Sequence, residues 1–272
     1  MALSHLRSFS RILASHKADF LKWNEESSRQ SGGGFTLVCG NESCDLDSAA
    51  CAFAFAAASN KNKKDGRRFL PLLHLDSSDL RIKGDVGFAS SKCLKLQSDA
   101  ELGNYALFLD ELQKCPESLR SACSVVLVDH HVLSEQLAAL FGTGQIVEVV
   151  DHRQRDETYL KSLENCSKIL TEPVGSCATL VGQQTLQLLK QFRMRKCARL
   201  LLYAIICDTG AMTNYKTTET DKQVAEALRK ICKLSLEEYP VIKKKIGKAK
   251  SKIKDLSPIR KQSKTPMDRG TC

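Results

Sequence analysis

The 272-residue sequence has no apolar run approaching 18 residues without a charge, so no stretch of it reads as a membrane-spanning helix. None of its twelve cysteines stands in CxxC spacing. Cys39, Cys51, Cys123, Cys177 and Cys207 lie instead inside apolar runs, the placement of buried free thiols. No stretch reads as a secretory leader, and the expected compartment is therefore reducing, the cytoplasm first. Aromatic residues make up only 6% of the chain and fall largely inside apolar runs, which leaves few rings for stacking on bases. Before Asp19 there is no acid at all, and MALSHLRSFSRILASHKA carries Arg7, Arg11 and Lys17. That pattern fits an amphipathic N-terminal helix, the preferred reading, or a mitochondrial transit peptide. Internal repeats are absent.

A body with excess charge is also lacking. The net charge is +10, yet residues 241–272 hold eleven Lys/Arg and two Asp/Glu, which leaves the other 240 residues at +1. The basic character belongs to the C-terminal stretch and gives no reason to expect specific nucleic-acid binding by the folded body. With 42% apolar and 26% charged residues, that body has the composition of a soluble globular protein.

Short apolar runs alternate with helix-forming stretches. Strands are expected at Phe35–Cys39, Phe69–Leu75, Tyr105–Leu109, Ser124–Val128 and Gln145–Val150, with Pro71 marking an edge or a strand start. Helices are expected at Leu46–Ala58, Cys177–Gln191, Cys197–Cys207 and from Asp221 to about Cys232. The implied fold is α/β, a mostly parallel sheet flanked by helices. Residues 1–34 read as an N-terminal helix and a glycine-rich hinge, Ser31-Gly32-Gly33-Gly34. Residues 35–235 read as the folded domain, and 236–272 as a basic tail, solvated and disordered from Lys243 on.

The pattern is most informative at the strand ends. Asp110, Asp129 and Asp151 each close a strand, and Asp45 and Asp47 follow another at once. In open α/β sheets ligands bind outside the carboxyl ends of strands. Two carboxylates one residue apart repel unless water solvates them or a cation sits between them. Taken together, Asp45, Asp47, Asp110, Asp129, His130 and Asp208 form an oxygen-rich donor set with an imidazole, suited to Mg²⁺ or Mn²⁺. Each piece also has a plainer reading: a loop or cap for Asp45-x-Asp47, a packed histidine for His131, a salt-bridged strand end for Asp151-His152-Arg153, a helix-end acid for Asp208. Ser176 precedes a helix as a candidate N-cap, and that helix N-terminus is a candidate anion site.

The succession GNESCDLDS, FLDEL, VDHH, VVDHR, VGSCATLV and IICDTGAMTN, spread over about residues 35–232, resembles the DHH phosphoesterase superfamily, and within it the prune and exopolyphosphatase branch. Asn41 fits that branch, where the related family II pyrophosphatases carry a histidine. The resemblance implies a site of two Mn²⁺ or Mg²⁺ ions. Asp45 would bind one, with Asn41 close by; Asp47, His130 and Asp208 would bind the other. Asp110 would bridge, Asp129 would bind or support, His131 would contact the phosphate being cleaved, and Arg153 and Ser176 would hold substrate. The implied activity is hydrolysis of phosphoanhydride bonds in inorganic polyphosphate or pyrophosphate. Members of this branch continue into a second domain that supplies Lys and Arg to the substrate. Residues 243–272 are too short and polar to build it, so a truncated form is expected. The alternative function is an interaction module whose basic tail takes an acidic protein or polyanion. A nucleotide or nucleic-acid phosphodiesterase ranks last.

Overall fold

Phe35–Cys39 (β1), Arg68–Leu73 (β2), Leu107–Phe108 (β3), Ser124–Val128 (β4), Ile146–Asp151 (β5) and Lys168–Thr171 (β6) form one all-parallel sheet in the order β3-β2-β1-β4-β5-β6. The structure is a computed structural model that describes residues 9–25, 34–62, 67–163 and 165–252. The helices in chain order are Phe9–Glu25 (α1), Leu46–Lys61 (α2), Gly84–Leu94 (α3), Leu109–Gln113 (α4), Glu117–Ser121 (α5), Glu135–Ala138 (α6), Glu157–Lys161 (α7), Cys177–Gln191 (α8), Arg195–Asp208 (α9), Glu219–Cys232 (α10) and Glu238–Ser251 (α11). Among the described residues no helix is long and apolar enough to cross a membrane.

A parallel sheet is covered on both faces, so its central strands read as unbroken apolar runs. The side chains then alternate between two cores. Phe35, Leu37 and Cys39 of β1 join the cluster containing Phe20, Leu112, Leu119 and Leu160, while Val38 joins that of α2, α8, α9 and α10. Seven alanines keep α2 slim, and it is buried nearly all round. The N-terminal helix does form. α1 sets Phe20 edge-on to Phe35, with ring centroids 5.2 Å apart, and pairs Lys17 with Glu111 at 2.6 Å.

Several boundaries differ from the sequence expectation. β3 is two residues long, and the chain turns into α4 at Leu109, so Asp110 sits in a helical first turn. β3 covers only Leu72 and Leu73 of β2, which leaves Pro71 in a stretch bonded on the β1 side alone. That reconciles a proline with an inner strand. The solvated tail expected from Lys243 is corrected up to Ser251. α11 is a helix because Tyr239, Ile242 and Ile246 form a buried stripe beneath its lysines. It rests on α3, where Gly84 leaves room for the Ala249 carbonyl that any Cβ would meet. Residues 1–8, the hinge glycines Gly32 and Gly33, and the tail from 253 lie outside the described residues.

Candidate metal centre

The chain runs outward from β1 through β2 to β3 on one side and from β4 through β5 to β6 on the other. β1 and β4 are therefore neighbours whose connections diverge, and a crevice opens at their carboxyl ends. The loops leaving these two strands carry Asn41, Asp45 and Asp129, and Asp47 follows in the first turn of α2. Their backbones bend sharply there: Cys44 has φ +39° and Asp129 φ +63°, both in the left-handed region.

Asp45 and Asp47 are tolerated side by side because they serve different helices. Asp45 caps α2, with its Oδ1 accepting from the Ser48 N–H at 3.1 Å. Asp47, in the first turn of α2, reaches across to the N-terminus of α8. Its Oδ1 accepts from Ser176 Oγ and the Ala178 N–H, both at 2.8 Å, and its Oδ2 from the Cys177 N–H at 2.7 Å. The anion held at the α8 N-terminus is thus the protein's own carboxylate. Ser176 occupies the cap position, but it is fully buried and its hydroxyl is committed to Asp47, so the substrate-binding role expected for it has no exposed group to rest on.

Asp129 is held as firmly. Its Oδ2 accepts from Asn41 Nδ2 at 2.6 Å and Ser48 Oγ at 2.5 Å, and its Oδ1 lies 3.2 Å from His152 Nε2 and 3.8 Å from the Arg153 guanidinium. Asp47, Asp129 and His152 offer ligand atoms that all lie within 4.8 Å of one another. Asp208, the last residue of α9, stands within hydrogen-bonding reach of Asp47 and feels the charge of Asp45.

This crowding shows in the acidities. Burial, then the charge of Asp47, raises Asp129 to about 7. Burial, then Asp47 by charge and by hydrogen bond, raises Asp208 to about 9. Burial lowers the His152 imidazole, but the Asp129 hydrogen bond and the charge of Asp47 outweigh it, for a net rise to about 9. The carboxylates of this centre therefore stand close enough to repel one another when ionised, and two of them hold their protons above the usual carboxylate range. A hard divalent cation fits the donor set: carboxylates preoriented by amides and hydroxyls, with an imidazole beside them. His130 adds to this. Its Nδ1 bonds the Val128 carbonyl at 3.0 Å, and its Nε2 is buried with no partner among the described residues, the state of a ligating imidazole. Burial lowers it to about 4, so it is neutral.

Two expected residues stand differently. Asp110 accepts from the Ser77 N–H at 2.9 Å and Ser77 Oγ at 3.1 Å, with Lys114 at 3.5 Å. Asp110 is not among the residues whose ligand atoms gather within 4.8 Å of one another. His131 has both ring nitrogens engaged: Nδ1 with Asp151 at 2.5 Å, and Nε2 accepting from the Asp156 N–H at 3.0 Å. Arg153 is half exposed, with its guanidinium 3.8 Å from Asp129. Sequence reasoning left out His152 as a donor. Its signal was its place directly after a strand-closing acid, the same place that singled out His130.

An all-parallel sheet with acids and imidazoles gathered at its switch point is the arrangement of a DHH-type domain. The DHH family N-terminal domain matches residues 36–205, and the chain belongs to the DHH family. It is 33% identical over 246 residues to the exopolyphosphatase PRUNE1 of Mus musculus, a match covering 86% of this chain and 50% of that protein. It is 32% identical over 153 residues to the manganese-dependent inorganic pyrophosphatase of Methanocaldococcus jannaschii, covering 53% of this chain and 47% of that one. The chain spans about half the length of the curated relatives it matches. In fold it is similar to a crystal structure of a family II inorganic pyrophosphatase from Methanococcus jannaschii, with a TM-score of 0.51 at 23% identity over 79% of this chain and 61% of that one.

Proposed function

We propose that this protein hydrolyses phosphoanhydride bonds in inorganic polyphosphate or pyrophosphate, with Mn²⁺ or Mg²⁺ held at the switch point of the sheet. The observation that carries this reading is the convergence of Asp47, Asp129 and His152, with Asp208 beside them, a crowded group of carboxylates whose mutual repulsion a divalent cation would relieve. The exopolyphosphatase and manganese-dependent pyrophosphatase names of similar proteins support it.

Asp47, Asp129 and His152 would form one donor group, and Asp208 with Asp45 a second beside Asp47, which is where a two-ion count would find its ligands. When bound, the divalent ion supplies an acidified water and charge stabilisation at the phosphoryl oxygens. The remaining work falls to the chain. Ser176 and the first amides of α8 fix Asp47, and Asn41 and Ser48 fix Asp129, so the ligands need no reorganisation. Arg153, tethered near Asp129, presents a planar fork to phosphoryl oxygens. Asp151 accepts from the backbone N–H groups of His152 and Arg153 and from His131, which holds this loop in one shape. His131 would reach a phosphate only by exchanging the Asp156 N–H for it.

Phosphate release from tripolyphosphate and pyrophosphate in Mn²⁺, Mg²⁺ or EDTA tests the proposal, beside Asp47→Ala and Asp208→Asn. The expected result is metal-dependent release lost in both variants. Release that persists in EDTA, or in both variants, overturns it.

A further inference from the structure

A cavity of about 650 Å³ lies beside the candidate metal centre, lined by Asp45, Asp85 and Asp208 and by Lys243, Lys244 and Lys250 of α11. We propose that this lysine face of α11 is a binding wall for the far phosphates of an inorganic phosphate chain whose near phosphate sits at the acidic centre. The inference rests on the phosphate-hydrolase reading and deepens it by naming the residues that grip the substrate.

The placement follows from helical spacing. Lys243, Gly247 and Lys250 recur at i, i+4 and i+7 and share one face, with Lys244 at its margin. Lys245, Lys248 and Lys252 face away and line a separate groove of about 500 Å³ with Phe88 and Tyr203. The wall is fixed rather than trailing, because Tyr239, Ile242 and Ile246 are buried and Gly84 lets α11 sit directly on the start of α3. Its present bonds are few and weak. Lys250 lies 3.3 Å from Asp85, Lys243 donates to the Gly210 carbonyl at 3.3 Å, and Lys244 has no partner among the described residues.

The charge balance points to an anion. Without a bound cation, Lys250 is paired with Asp85 at 3.3 Å, and Lys243 and Lys244 share the cavity lining with Asp45 and Asp208. Once divalent cations neutralise the acidic wall, the lysine wall is left in excess, and the space between favours a ligand negative along its length. A chain of two or more phosphates meets both walls; a single phosphate meets one. The cavity has the size of an ordinary small-ligand site, roughly 300–1,000 Å³.

The test is calorimetric binding of tripolyphosphate to the full chain in Mn²⁺, with KM measured in parallel. The triple variant Lys243→Met, Lys244→Met, Lys250→Met is expected to bind at least about tenfold more weakly, with KM raised to match. Its melting-temperature shift on adding Mn²⁺ alone is expected to stay native, showing that the fold and the acidic wall are intact. The charge-matched triple Lys245→Met, Lys248→Met, Lys252→Met is expected to bind within about twofold of native. Lys244→Met alone, which breaks no bond, is expected to weaken binding about threefold and serves if the triple does not fold. Native affinity in the first triple, or an equal loss in the second, overturns the wall. Tripolyphosphate binding that depends on these lysines without phosphate release would refute the hydrolase reading and leave the wall standing. Release with an unchanged KM in the first triple would do the reverse.

Discussion

Asp208→Asn is expected to stabilise the metal-free protein and to forfeit most of the stabilisation that Mn²⁺ gives. In the folded chain burial, then Asp47, lifts Asp208 from 3.8 to about 9. At about pH 7.5 the unfolded chain has released this proton and the folded chain retains it. Each unit of that gap costs 1.36 kcal/mol, so the upper bound is ~5 kcal/mol. Sharing of the proton with Asp47 and partial solvation bring the expected gain on substitution to about 1–3 kcal/mol, or roughly 2–10 °C in Tm for a chain of this size. An asparagine also donates to Asp47, so the replacement leaves no orphan. Saturating Mn²⁺ at about 100 times its Kd adds ~2.7 kcal/mol to the native protein, and the variant forfeits most of it. Thermal melts in EDTA and in Mn²⁺ therefore show a much smaller Mn²⁺ shift in the variant than in native protein. A lower Tm for the variant in EDTA, or a full Mn²⁺ shift in the variant, refutes the reasoning. Asp110→Asn is the companion: bonded to Ser77 and Lys114, Asp110 is expected to leave the Mn²⁺ shift intact, and a lost shift would restore the bridging role implied by resemblance.

The raised acidities of Asp129 and Asp208 make metal-free stability fall with pH between about 4 and 9, because the folded state holds protons that the unfolded state has lost. Urea midpoints of native protein minus those of Asp208→Asn are expected to decline through that window, while Mn²⁺ affinity rises as the protons leave; a flat difference refutes this. Asp47→Ala strands Ser176 Oγ and the N–H groups of Cys177 and Ala178 without an acceptor, at an expected ~2–4 kcal/mol in urea unfolding, and a loss below about 1 kcal/mol would show that water replaces the carboxylate.

Legibility followed burial. β1, β4 and α8 have the boundaries the sequence implied, because a strand buried on both faces is an apolar run and α8 begins where Gly175-Ser176 breaks the chain. β6 was missed: at the sheet edge, Lys168 to Thr171 is half exposed and carries no such run. α3 hides behind two glycines and two serines, and α11 behind an excess of lysine that masks a three-residue buried stripe. Of the site, Asp45, Asp47, Asp129 and Asp208 were legible as acids at the ends of elements. His152 was read as part of a salt-bridged strand end, and it does contact Asp129 at 3.2 Å, but its membership of the donor cluster depends on Asp47, more than a hundred residues earlier in the chain.

The amino-acid sequence by itself determined the alternation of strands and helices, hence a parallel sheet, and with it the edge on which the acids collect. Period and polarity are local properties, and they suffice for that. The tertiary structure decided which of those acids meet. Strand order is not written in any one segment, and it puts β1 beside β4, which brings the acids that follow those two strands together. It also decided that two adjacent carboxylates serve two different helices, and that the basic C-terminal stretch begins as a lysine-faced helix standing over an acidic cavity. Those outcomes depend on distances between segments far apart in the chain, which only packing sets.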